Sequence, residues 1–196
     1  MMKKLLIIVV LIICIVAVIA CVSLRFSQLD PEAKDFHPQR IAIFPADVVN
    51  YEEAKGVVEK VVAGVIIEKK WFTDVIDTEN LNRQIQANEE LRKVVINYFA
   101  KLRTLIFSDP ELSKKIGELA KVDAFLLISV DAWNYAVENN KNVAKVSITM
   151  KFYEASTGKL MWKAGHDITE SYMMIKPDLP NVARDVTRDM VREMPH

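Results

Sequence analysis

The chain has 196 residues, with 26 lysines and arginines against 26 aspartates and glutamates, 51% apolar residues, five glycines and two cysteines. That composition excludes a disordered chain, a collagen-like repeat and a disulfide scaffold, and it fits one ordinary globular domain. The zero formal charge argues against a nucleic-acid partner, because phosphate recognition needs a concentrated basic surface.

The apolar residues are unevenly placed. Lys3 and Lys4 precede an uncharged run from Leu5 to Ala20, the layout of a secretory signal peptide over residues 1–20. Cys21 follows the small residue Ala20, and Val18-Ile19-Ala20-Cys21 resembles the bacterial lipobox, which implies cleavage before Cys21 and lipid on its sulfur. Cys14 fits less well because Ile13 precedes it. The alternative is an uncleaved anchor, since Leu5 to Leu24 is long enough to span a bilayer. With Cys21 acylated and Cys14 removed, no thiol remains for a disulfide, a metal or redox chemistry. The likeness to Gram-negative lipoproteins adds a location. Those retained at the inner membrane usually carry Asp after the Cys, and Val22 implies the periplasmic face of the outer membrane.

Residues 21–39 carry Pro31 and Pro38 and no sustained period, so they read as the lipidated Cys and a tether, with the α/β domain over residues 40–196. Arg40 to Pro45 predicts a strand covered on both faces. Asn50 and Glu53 form a capping-box pattern ahead of apolar residues at helical spacing, Ala54 to Ile66. Trp71 to Ile76 predicts the next strand. Thr78 opens a second helical region whose stripe runs from Leu91 to Ile106, and Ser108 with Glu111 predicts the cap of a third helix. Three strand-like runs follow, Ala124 to Tyr135, Val143 to Glu154 and Lys159 to Ile168, joined at Glu138–Lys141 and Ser156–Gly158, as in an antiparallel meander. Val146, Ile148, Met150 and Phe152 alternate with Lys145, Ser147, Thr149 and Lys151, which leaves one face buried and one facing solvent or a partner. Pro180 precedes a final helix. The order β-α-β-α-α-β-β-β-α predicts a single α/β domain with a mixed sheet of about five strands packed by helices.

Chemistry is harder to find. His37 lies in the tether, His166 at a strand end and His196 at a frayed carboxyl terminus, and no two have metal-ligand spacing. The chain has no phosphate-binding glycine loop, nucleophile elbow or zinc-protease motif, so no catalytic residue, metal or cofactor is implied. Gly56 and Gly64 fall inside the first predicted helix, where close helix packing is the expected reason for them. Asp123 and Asp131 read as solvated strand ends. Trp133 and Tyr135, two residues apart, share one strand face; they form a candidate partner surface, with core packing the more frequent alternative.

Three blocks carry a family resemblance: Arg40-Ile-Ala-Ile-Phe-Pro45, Val122-Asp-Ala-Phe-Leu-Leu-Ile-Ser-Val-Asp131 and Glu154-Ala-Ser-Thr-Gly-Lys-Leu-Met-Trp162. In this order they resemble blocks of bacterial envelope lipoproteins related in fold to the curli secretion lipoprotein CsgG, the amino-terminal domain of TolB and LpoB. Val122 stands where that group usually has Gly, and Glu154 where it usually has Asp. The resemblance implies a non-enzymatic periplasmic lipoprotein that binds or organises other envelope proteins, held to the membrane by lipid on Cys21. Two other readings remain. One is a ligand-binding or enzymatic domain with a pocket near Asp131, Trp133 and His166; the other is a homo-oligomer built through strand edges or the long helix.

Overall fold

The computed structural model describes residues 24–105 and 107–196. Among them, six strands form one mixed sheet: β1 (Phe26–Leu29), β2 (Arg40–Ile43), β3 (Asp74–Ile76), β4 (Ala124–Glu138), β5 (Lys141–Glu154) and β6 (Leu160–Tyr172). Their order across the sheet is β1-β6-β5-β4-β2-β3. Five helices pack on it: α1 (Val57–Lys69), α2 (Thr78–Ala87), α3 (Glu89–Leu105), α4 (Pro110–Ala120) and α5 (Leu179–Val191). The expected α/β architecture is therefore present, with one strand more than the five predicted.

The extra strand is β1, in the stretch read as tether. It pairs antiparallel with β6, Phe26 opposite Gly165 and Leu29 opposite Trp162, and Arg25 ties it down through Asp131, Ser147 and Thr149. The domain thus begins before Arg40. Three of its four residues are exposed, so no apolar alternation marks it in the sequence. The chain after it is fixed as well. Lys159 bridges Asp30 and Glu32, each at 2.9 Å, and Phe36 packs edge-on to Phe152 at 5.6 Å.

β2 is covered on both faces as its composition predicts. Ile41 and Ile43 belong to one core cluster, Ala42 and Phe44 to another. The first cluster lies beneath α1 and α5, where Val58, Val62 and Ile66 meet Val182, Val186 and Met190 beneath β5 and β6. α2, α3 and α4 cover the other face at the β2 end, with Leu81, Leu91, Tyr98 and Ile116 over Phe125 and Tyr153. Each large apolar side chain buried this way contributes roughly 1.5–3 kcal/mol.

Several helix boundaries differ from those predicted, each for a local reason. Asn50 and Glu53 do not start a long helix: Glu52–Ala54 is a 3-10 turn, and Gly56, with φ +74°, breaks the chain before α1. The cap of α4 is Asp109, which accepts from the Glu111 and Leu112 amides, while Ser108 is buried and accepts from the Tyr98 hydroxyl at 2.9 Å. The second helical region is two helices, because Asn88 leaves the helical conformation and its Oδ1 accepts from the Leu91 amide to begin α3.

The meander is present and longer than predicted. Asn139 and Asn140 both take positive φ, 50° and 62°, in a two-residue hairpin turn, the conformation that matches strand twist and favours Asn. Gly158, at φ +69°, lies so close to Ser108, Pro110 and Ser113 that a Cβ there would meet all three within 3.2 Å. Glycine serves that turn both by its conformation and by its size.

Candidate functional site

The side chains suggested for a ligand site in the sequence do not come together. A bulge between Val130 and Ala132 shifts the register of β4 against β5. Before it, Leu126, Ile128 and Val130 face the first core cluster; after it, Trp133 does. Trp133 is 3% exposed and is core, not a partner surface. Tyr135 lies on the same side, half-buried; its hydroxyl donates to the Pro177 carbonyl at 2.7 Å, and the Lys176 ammonium sits 3.4 Å from its ring centroid. Their shared strand face is as expected, but the bulge turns that face inward. Asp131, at the bulge, sits on the opposite side with Arg25 at 2.6 Å and Thr149 Oγ1 at 2.7 Å.

His166 is in the middle of β6, not at a strand end. It is buried beneath α5, its Nε2 3.7 Å from Asp189 Oδ2, and so it is on the other side of the sheet from Asp131. His196 does not fray. Its ring stacks on Trp71 at 3.9 Å with 9° between planes, and its carbonyl lies 2.9 Å from His37 Nδ1, which fastens the carboxyl terminus to the residues ahead of β2. Asp123 Oδ2 accepts from the Gln39 and Arg40 amides, both at 2.8 Å, a structural clamp on the start of β2. Among the described residues, no cluster of His, Cys, Asp and Glu could hold a metal ion, and no helix is long and apolar enough to cross a membrane.

Among the described residues, two of the cavities that open on the domain are large enough to hold a small molecule. One, of about 540 Å³, lies near the start of β2 between Phe36, Lys114, Asp123 and Ser156. The other, of about 460 Å³, lies between α1 and α2 with Lys60, Ala63, Gly64 and Thr78 in its wall. It sits beyond the carboxyl ends of the parallel strands β2 and β3, the side of such sheets where ligands bind in α/β proteins. Gly64 would place a Cβ into open space, so close helix packing does not explain it. Glu59 lines the same cavity and is 4% exposed; its Oε1 accepts from the Ala46 amide at 3.1 Å and its Oε2 has no partner.

The charged groups that depart from their ordinary pKa are structural. The Glu32 amide and the Lys159 ammonium hold the Asp30 carboxyl below the usual range. Lys101, at 2.5 Å, and the α4 amides do the same for Asp109. Burial raises the Tyr98 and Tyr153 phenols.

Among the described residues, an exposed apolar run has no role assigned by the sequence patterns. Met173 and Met174, in the loop from β6 to α5, are 93% and 96% exposed, and Ile175 is 86% exposed. Three adjacent large apolar residues were visible in the sequence, but only the exposure distinguishes them from a buried run. Cys21 and the predicted signal peptide lie outside the described residues.

No family model and no curated protein matches the chain. Solved structures share its fold. The PelC dodecamer of Paraburkholderia phytofirmans aligns with a TM-score of 0.55 at 12% identity, covering 87% of this chain and 95% of that one. The lipoprotein GNA1162 of Neisseria meningitidis gives 0.50 at 15% identity, covering 79% and 99%. The hypothetical protein CT253 of Chlamydia trachomatis gives 0.51 at 7% identity, covering 78% and 93%. At these identities the likeness establishes the α/β fold and nothing finer.

Proposed function

We propose that the protein is a non-enzymatic bacterial envelope lipoprotein that works by binding protein, with lipid on Cys21 holding it to the membrane. The observation that carries this is the amino-terminal order: two lysines, an uncharged run from Leu5 to Ala20, then Cys21, with an ordered strand beginning at Phe26. So short a connection keeps the domain at the membrane surface, where attachment raises the local concentration of envelope partners without any new contact. The fold likeness to a lipoprotein of Neisseria meningitidis supports the same reading. Val22 favours the periplasmic face of the outer membrane, and the three sequence blocks favour kinship with the CsgG, TolB and LpoB group.

Intact mass of the membrane-extracted protein, wild type against Cys21→Ala, tests this. Loss of residues 1–20 with added acyl mass, abolished by the substitution, is expected. A full-length unmodified chain refutes it.

A second reading, self-assembly, is favoured by the likeness to the PelC dodecamer. Both sheet edges are short strands, β1 of four residues and β3 of three, and the apolar Leu29 on β1 is 55% exposed. Sedimentation of the detergent-solubilised chain distinguishes a monomer from a ring.

A further inference from the structure

The exposed run Met173–Ile175 stands at one particular end of the molecule. It follows Tyr172, which pairs with Asn142 beside the β4–β5 turn, and Val137 at the same end is 70% exposed. The loop is held in place: the Tyr135–Pro177 hydrogen bond draws it back across the ends of the strands, and Lys176 is packed on the Tyr135 ring. A fixed apolar tip that the other described residues leave uncovered marks an interaction site.

The start of the chain indicates what covers it. β1 runs antiparallel to β6 with Phe26 beside Gly165, so the chain ahead of Phe26 arrives from the Tyr172 end. Leu24 packs against the first core cluster and Arg25 is bonded to Ser147 and Thr149, which places Leu24 near the level of Asp167. From there the tip, beyond Tyr172, is more than about 17 Å away along the strand, and the turn at the opposite end is more than about 23 Å away. Cys21 is three residues before Leu24, a reach of at most about 11 Å. A bilayer holding Cys21 is therefore nearer the tip end, and the tip extends past the anchor by at least about 6 Å, enough for apolar groups to enter the headgroup layer.

We propose that Met173, Met174 and Ile175, with Val137, insert into the surface of the same bilayer that holds the amino terminus, with exposed Lys141 and Lys176 at the rim facing lipid phosphates. This docking rests on the anchored reading above and fixes the domain upright, with the Ser156–Gly158 turn directed away from the membrane.

The test uses the full chain carrying Met174→Cys or, at the far turn, Ser156→Cys. Each is labelled on the introduced thiol with an environment-sensitive fluorophore and reconstituted into phosphatidylethanolamine–phosphatidylglycerol vesicles containing nitroxide lipids. In the processed chain the introduced thiol is the only free one, and intact mass reads the number of labels. Severalfold stronger quenching at position 174 than at 156 is expected. Equally weak quenching at both positions, on a chain that floats with the vesicles, overturns the docking and leaves the anchor standing; a blue-shifted but unquenched label at 174 also overturns it, by showing protein over the tip. A chain that carries extra label on Cys14 and Cys21, whether or not it floats, overturns the lipid anchor and with it the docking that rests on it.

Discussion

Alkaline pH should weaken this fold through Tyr98, and Tyr98→Phe should remove that weakness. The Tyr98 ring is fully buried, edge-on to Phe99 and Phe125 at 5.5 Å each, and its hydroxyl donates to Ser108 Oγ. Burial pushes the phenol well above its ordinary value of 10.0, with the Ser108 bond pulling the other way. The unfolded chain releases the Tyr98 proton near pH 10 while the folded chain still holds it. The stability contributed is therefore complete below pH 10 and is lost as pH climbs toward the folded-state value, at about 1.4 kcal/mol per pH unit. At neutral pH, Tyr98→Phe costs about 1 kcal/mol for the lost hydrogen bond. The two stabilities should then meet at roughly pH 10.7, with the variant ahead by about 0.4 kcal/mol near pH 11. Tyr153 shifts in the same direction and is present in both chains, so its own burial cancels in the difference, leaving only its repulsion of the Tyr98 phenolate. Urea unfolding followed by tryptophan emission, in steps from about pH 8 to about pH 11, measures both curves. A gap between wild type and variant that stays constant across that range refutes the reasoning.

Two substitutions at glycines test the packing. A Cβ on Gly165 would lie 2.4 Å from Phe26 Cε1 and 2.8 Å from Arg25 Nη2, so Gly165→Val should displace the Phe26 ring. Hydrogen exchange should then rise in Phe26–Leu29 and stay unchanged in β4 and β5; retained protection in β1 would show that the strand does not depend on that contact. On α4, Gly117→Ala gains about 1 kcal/mol in helix propensity but brings Cβ to 2.7 Å from Ala155 Cβ and 3.0 Å from the Val122 carbonyl. Overpacking of this kind costs about 1–3 kcal/mol, and a lowered melting temperature is expected, whereas a raised one would count against the contact.

Periodicity made most of the fold legible. The alternation of Val146, Ile148, Met150 and Phe152 placed one face of β5 in the core, and all four are fully buried. Two kinds of feature escaped it. β1 has three exposed residues of four and is specified by its pairing with β6 and by Arg25, contacts over a hundred residues away in the chain. Trp133 and Tyr135 were correctly placed on one side of a strand, but the bulge at Asp131 decides which side, and one inserted residue reverses every position after it. The same limit applies to the candidate site. Residue types at Asp131, Trp133 and His166 suggested proximity, and the register put them on two faces. Met173–Ile175 carried the opposite ambiguity, since three apolar residues in a row give no sign of whether they are covered.

The way β1 is attached determines how the domain bears a load on its amino terminus. A pull on the chain ahead of Leu24, directed toward the Tyr172 end, runs along the β1 axis, while the hydrogen bonds joining β1 to β6 lie across it. Such a force shears the ladder rather than unzipping it, so the bonds yield together instead of one after another. The Arg25 contacts to Asp131, Ser147 and Thr149 stand first in line and spread the tension onto β4 and β5. A strand of only four residues at the sheet's edge thereby becomes its mechanical clasp.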